Sequence, residues 1–351
     1  MEIEVRQDLP AVDSAAALAA RQRWDRLTKP LGSLGRLEEL GVRLAGITGQ
    51  VQPTIARKVI FTVAADHGVV EEGVSAYPQA VTAQMVLNFL RGGAGINVLA
   101  RHVGAEVVVD AGVAAADFEG QPGVVIRKIR RGTSNMAQEP AMSRAEAQQI
   151  LQMGERLFEE MHRLKRIHLV GLGEMGIGNT TATAALTAVL TGSDVATVTG
   201  RGTGLTDEQL RRKIQVTEKV LQRHQPVAEH PLGSLACVGG FEIGFLAGII
   251  LEAARARVPI VLDGFITTAA ALVAQGFCPG VRDYLIASHC SVEPGHRIQL
   301  EHLGLEPLLD LQLRLGEGTG AALAFSLIEA SIKLVSEMAT FEEAGVSKKI
   351  G

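Results

Sequence analysis

The chain has 351 residues, of which 47% are hydrophobic and 4% aromatic, and it carries 39 glycines. That length exceeds a usual single domain, and an aliphatic, glycine-rich, aromatic-poor composition suits an α/β protein with many tight strand-to-helix turns. A formal charge of −4 without a long Lys/Arg run offers no field for nucleic acid or an anionic membrane, and three scattered cysteines, Cys237, Cys278 and Cys290, supply neither a disulfide framework nor a paired-thiolate metal site.

The first residues, MEIEVRQDLP, alternate charges and lack the apolar stretch of a signal peptide, so a cytoplasmic protein is expected. Residues 13–26 read as an Ala-rich helix, and KPLGSLGRLEEL opens a second helix after a loop. Next come short β-branched runs, each closed by a polar or glycine-bearing loop and followed by a helical pattern: VIFTVAADHG, EVVVDAGV, RIHLVGLGEMGIGNT, VPIVLDGF and YLIASHC. This alternation predicts an α/β fold with a mostly parallel, Rossmann-like sheet and helices on both faces. Ligands bind such sheets beyond the carboxyl ends of the strands, which is where Asp66, His67, Glu174, Asp263, Ser288 and His289 fall. The longest apolar region, GGFEIGFLAGIILEAARARVPIVL, is interrupted by Glu242, Glu252, Arg255 and Arg257, so a buried helix and strand are expected there and no integral membrane segment. A third terminal helix runs from 319 to about 338, ahead of a polar tail at 342–351, and helices from the two ends are expected to pack as a small subdomain.

Asp66 and His67 stand together at a strand end, but a metal site needs a third ligand that no spacing supplies; a hydrogen-bonded pair shaping the loop is the plainer reading. The following segment, with Tyr77, Pro78, Met85, Leu87 and Asn88, offers flat or soft apolar surface for an aromatic ligand, although core helices share that spacing. GLGEMG matches the dinucleotide pattern GxGxxG, which keeps an NAD-dependent oxidoreductase as an alternative. Against it, Glu174 would bring negative charge to a pyrophosphate, and Asp194 lies in a TGSD turn with no second strand before it.

In the same stretch Gly176, Gly178, Asn179 and Thr180 open a helix whose free amides suit one phosphate, with a ligand-free N-cap as the bland alternative. No Lys-Ser/Thr pair follows, which excludes a P-loop. Gly202, Thr203 and Gly204 form a second such turn before a helix carrying Lys213, and two anion turns point to a phosphorylated substrate. In SHCSVEPGHR, Cys290 lacks a signalled base, whereas Ser291 and the loop amides suit an anionic group. In LRLGEGTGAAL, Glu317 follows Leu315 between two glycines. A helix start favours its anion, the glycines admit a flat ligand, and an apolar pocket would raise its pKa toward a general base.

Together KPLGSLGRLEEL, ADHGVVEEGVSAYP, GLGEMGIGNTT, GRGTGL, VLDGFITTAAALVA, SHCSVEPGH and LRLGEGTGAAL resemble the CobT family, the nicotinate-nucleotide–dimethylbenzimidazole phosphoribosyltransferases of cobalamin lower-ligand synthesis. The resemblance implies phosphoribosyl transfer from nicotinate mononucleotide to 5,6-dimethylbenzimidazole, giving α-ribazole 5′-phosphate and nicotinate, without cofactor or metal. It implies a homodimer with a Rossmann-like large domain, here 55–310, and a small helical domain from both termini, here 1–54 with 311–351. Glu317 matches the family's general base; Glu174, Gly176, Gly202 and Gly204 fall in the motifs for ribose and phosphate, to which Asn179, Thr180 and Lys213 are added from the two anion turns. Ser291 falls near the nicotinate, and Tyr77, Met85, Asn88 and Leu315 are candidates to line the base pocket. Tyr77 and Met85 stand where smaller or more polar residues are expected in some relatives, which leaves another lower-ligand base as the alternative acceptor.

Overall fold

A computed structural model of the protein describes residues 9–107, 112–113 and 117–347. Residues 108–111, within the expected strand EVVVDAGV, together with 1–8 of the charged amino terminus and 348–351 of the polar tail, lie outside the described residues.

Among the described residues five strands form one parallel sheet: β1 Lys58–Ala64, β2 Glu106–Val107, β3 Leu169–Met175, β4 Ile260–Leu262 and β5 Leu285–Ala287, in the order β2-β1-β3-β4-β5. β1 and β3 pair along their whole length, from Lys58 opposite Leu169 to Ala64 opposite Met175. The chain leaves β1 toward β2 on one side and returns to β3 on the other, so the connections part above these two strands. That is the switch point at which doubly wound sheets open a ligand crevice.

Burial on both faces makes the strands near-continuous apolar runs, and the alternation of side chains assigns each to a layer. Val59, Phe61 and Val63 share a core with Phe158 of helix Arg144–Lys165 and Phe245 of helix Phe241–Arg255. Those helices cross with backbones in contact: a Cβ on Gly154 would lie 2.0 Å from the Phe245 carbonyl oxygen, and one on Gly248 2.0 Å from that of Leu151. Ile60 faces the opposite way, into a core with Leu40 and Leu44 of helix Arg36–Thr48, Ile96 of helix Gly95–Val103 and Ala321 and Phe325 of helix Thr319–Glu337. This last helix is long and apolar enough to cross a membrane by length and composition; Ala321 and Phe325 are fully buried against Gly171 of the sheet.

The two terminal segments touch each other. Asp13 caps helix Ser14–Arg26 through the amide of Ala16, and Trp24 and Leu27 pack with Val335 in a small cluster of their own. The bridge between Leu27 and Thr340 closes the contact.

Candidate active site

Four strands deliver polar residues to one edge. Beyond β1, Asp66 and His67 are buried, and His67 Nε2 lies 2.7 Å from Oε1 of Glu242 in the first turn of helix Phe241–Arg255. The partner of His67 is thus Glu242, from a distant helix, and not the adjacent Asp66. Among the described residues no group of three or more His, Cys, Asp or Glu side chains is arranged to hold a metal ion.

Glu174 is the penultimate residue of β3, and its Oε2 accepts a hydrogen bond from Asn179 Nδ2. Burial, reinforced by the nearby carboxylates of Asp263 and Glu242, pushes the Glu174 carboxyl up to about 8, so at neutral pH it is largely protonated. The turn that follows needs its glycines: a Cβ on Gly176 would meet the Ala65 carbonyl oxygen at 2.4 Å, and Gly178, at φ +95, is the N-cap of helix Asn179–Thr191. Thr180 in its first turn accepts a 2.8 Å hydrogen bond from Nζ of Lys213. Lys213 is fully buried, also donates to the carbonyl of Gly200 at 3.1 Å, and is pushed down to about 8 by burial, with Glu293 acting against that. Gly202, at φ +52, stands beside it, with the Lys213 nitrogen 3.6 Å from where a Cβ would project. The two glycine turns read separately in the sequence therefore converge on one lysine. Gly204 sits at φ +111 in the open part of the second turn.

Glu317 is the most constrained residue of the site. It is non-glycine at φ +64, between Gly316 at +79 and Gly318 at +97, a conformation that persists only where the surroundings impose it. Four hydrogen bonds do so. Its amide donates to the Glu174 carbonyl at 3.2 Å, its carbonyl accepts from Thr62 Oγ1 at 2.8 Å, and the next amide, Gly318, donates to Asp263 Oδ2 at 3.0 Å. Its own Oε2 accepts from the amide of Ile96 at 3.1 Å.

The sequence reading of Glu317 as a first-turn glutamate changes in detail. Helix Thr319–Glu337 begins after it, and the free amides of that helix, including Gly320 at 2.6 Å, are taken by Asp263 at the end of β4. The Glu317 carboxylate instead meets the N-terminus of a different helix, Gly95–Val103. Burial raises its pKa, and the Ile96 amide acts against the rise. Asp263 itself is pushed up to about 7 by burial, despite the amides of Gly318 and Gly320.

Beyond β5, Ser288 Oγ donates to the carbonyl of Asp263 at 2.9 Å, and His289 Nδ1 lies 3.8 Å from Asp263 Oδ1. Burial pushes the His289 imidazole down to about 4. Ser291 is held by an imidazole: its amide donates to His296 Nδ1 at 2.9 Å, while His296 Nε2 lies 3.0 Å from Thr268 Oγ1, whose own hydrogen goes to Gly264 O. These partners assign a neutral ring protonated at Nε2, and burial pushes its pKa down to about 3.

The remaining pocket candidates lie around helix Ala80–Leu90, tied to the first glycine turn by the Ile177 amide on Thr82 Oγ1 at 3.1 Å. Met85 packs against the core that holds Ile60 and Ile96, and Leu315, 60% exposed, lies over Gly95 beside the Glu317 carboxylate. Tyr77, 51% exposed, sits in the loop ahead of this helix, and Asn88 turns its side-chain oxygen toward Gly93. Neither of these two is brought against Glu317 or Glu174. Sequence reading assigned no role to Asp263, Glu293 or Thr62. The signal for Asp263 is its place in VLDG at a strand end; Thr62 is indistinguishable from any strand threonine.

Known proteins share this fold and much of this sequence. The family model described as Phosphoribosyltransferase matches residues 9–346. The nicotinate-nucleotide–dimethylbenzimidazole phosphoribosyltransferase of Geobacter sulfurreducens is 57% identical over 338 residues, 96% of each chain. That of Chloroflexus aggregans is 57% identical over 339 residues, again 96% of each. The crystal structure of CobT from Thermus thermophilus superposes with a TM-score of 0.91 at 51% identity, covering 95% of this chain and 100% of that one.

Proposed function

We infer from the membership of this chain in the nicotinate-nucleotide–dimethylbenzimidazole phosphoribosyltransferase family that it transfers phosphoribose from nicotinate mononucleotide to 5,6-dimethylbenzimidazole, in the synthesis of the cobalamin lower ligand. The observation that carries this reading is identity above one half over nearly the whole length of relatives bearing that name. The products are α-ribazole 5′-phosphate and nicotinate.

The mechanism we propose uses Glu317 as the base. The donor carries a pyridinium leaving group whose departure neutralises a positive charge. The acceptor is a neutral azole: as one ring nitrogen attacks the anomeric carbon, the other must lose its proton. Glu317 suits that step, because burial raises its pKa while the Ile96 amide keeps the anion accessible. Attack opposite the leaving nicotinate inverts the β-linked donor to the α-linked product, so the two planar groups stand in line across the ribose. Met85 and Leu315 supply apolar surface on the acceptor side. Tyr77 and Asn88, which stand away from Glu317 and Glu174, are given no contact in this mechanism. Gly176, Asn179, Thr180, Gly202, Gly204 and Lys213 hold the phosphate and Ser291 faces the nicotinate. A carboxyl pushed up to about 8 lets Glu174 approach the ribose as a neutral hydrogen-bond donor, without repelling the phosphate.

The chain works as a cytoplasmic homodimer, with 55–310 as the large domain and the terminal segments 1–54 and 311–351 as the small one; the packing of Trp24 and Leu27 on Val335 supports that division. Incubating the protein with nicotinate mononucleotide and a panel of benzimidazoles, phenols and purines, and identifying products by mass, tests the reading. An α-riboside 5′-phosphate of 5,6-dimethylbenzimidazole is expected, and no α-riboside with any base would overturn it.

A further inference from the structure

Glu293 has no part in the mechanism above, yet its carboxylate sits against the start of the second glycine turn. Its Oε1 accepts the backbone amide of Gly202 at 2.8 Å, and its Oε2 is buried without a hydrogen-bond partner. The carboxylate presses on the bare Cα of Gly200, where a Cβ would come within 2.1 Å of Oε2. The residue is 7% exposed, and its charge supports that of the buried Lys213. A carboxylate is thus seated on one of the amides of an anion turn, next to the lysine that joins the two turns.

We propose that Glu293 is a stand-in anion that holds the Gly202 amide until the donor's 5′-phosphate displaces it, so that the site selects phosphorylated donors. The inference rests on the assignment of Gly202 and Lys213 to that phosphate. A buried cation needs a counter-anion, and a buried amide needs an acceptor. Glu293 supplies both in the free protein, and a phosphate supplies both better, with three oxygens and a larger charge. A nucleoside lacking the phosphate offers neither and leaves Glu293 in place.

Room exists for the displaced side chain. A 390 Å³ cavity is lined by Glu293, Ser291, Arg297, Asp310 and Gln312, and the exposed Arg297 offers the carboxylate a new partner. Because the amide of Glu293 donates to Ser291 Oγ at 3.3 Å, the same movement reaches the loop assigned to the nicotinate.

Calorimetric titration of three proteins with three ligands tests this. The proteins are wild type, Glu293→Gln and Lys213→Met; the ligands are nicotinate mononucleotide, inorganic phosphate and nicotinate riboside. Glu293→Gln should bind the mononucleotide and phosphate about tenfold more tightly, the lower end for removing a competing charged hydrogen bond, and the riboside as wild type does. Unchanged or weaker mononucleotide binding by Glu293→Gln overturns the proposal. Lys213→Met separates the two assignments: if it fails to weaken phosphate binding, the phosphate-site assignment falls, and if it weakens it while Glu293→Gln does not tighten it, only the stand-in role falls. Should Glu293→Gln not fold, Glu293→Asp, whose shorter arm falls short of the Gly202 amide, should show the same tightening, and its absence counts against the proposal.

Discussion

The backbone amide of Glu317 donates to the carbonyl oxygen of Glu174 at 3.2 Å. The end of β3 is thereby tied to the segment ahead of helix Thr319–Glu337, and two acidic residues 143 positions apart in the chain share one edge of the sheet. Glu317 is located by hydrogen bonds to its backbone rather than by side-chain packing, so its position depends on how closely two backbones approach.

Gly173→Ala should disturb that approach. A Cβ there would lie 2.3 Å from the Glu317 carbonyl oxygen, against backbone that must move. Overpacking of this kind costs about 1–3 kcal/mol, so the variant should fold with a lower melting temperature and lose most of its turnover. Wild-type turnover in a well-folded Gly173→Ala protein would show that Glu317 does not need its observed position.

Lys213→Met should act on the donor and not on the chemistry. The buried ammonium bridges Thr180 and Gly200 between the two glycine turns, and a hydrogen bond to a charged group is worth about 1.5–3 kcal/mol. Steady-state kinetics should give a KM for nicotinate mononucleotide raised on the order of tenfold or more, with kcat changed far less. A loss confined to kcat would count against a phosphate contact.

The buried carboxyls make the ligand-free protein sensitive to alkali. Glu174 titrates near 8 instead of 4.5, and Asp263 near 7 instead of 3.8, so the folded state holds protons that the unfolded state has released. Their contribution is fully present below the unfolded values and is lost as pH rises through about 7 to 8. Melting temperatures from pH 5 to 9 should therefore fall more steeply for wild type than for Glu174→Gln. Parallel curves would show that Glu174 is ionised in the fold.

His296 has the opposite sign. Its pKa, pushed down from 6.5 to about 3, means that the unfolded chain takes up a proton which the folded one refuses. Stability should drop as pH falls from about 6.5 toward 3. His296→Asn, whose side-chain oxygen can still accept the Ser291 amide, should flatten that acid limb in a thermal-melt series.

The sheet was legible in the sequence because strands buried on both faces must be apolar, and their polar punctuation marks the ligand edge: Glu174 and Asp263 both close such runs. The two glycine turns were legible because glycine before a helix has few other uses. What the sequence hides is long-range pairing. Ile96, whose amide meets the Glu317 carboxylate, and Thr62, which holds its carbonyl, belong to stretches whose local pattern signals only core. Glu293 is hidden for a related reason: it follows the usual pattern of a helix N-cap ahead of a proline, and only the fold carries its side chain across to Gly202.

The central claim, that Glu317 removes the acceptor's proton, is tested most directly by single-turnover formation of α-ribazole 5′-phosphate in wild type and Glu317→Gln across pH, with donor affinity measured alongside. Unchanged nicotinate mononucleotide affinity is expected, with a rate lower on the order of a hundredfold or more and loss of the acid limb expected in wild type. Equal single-turnover rates, or the same acid limb in both proteins, would contradict it.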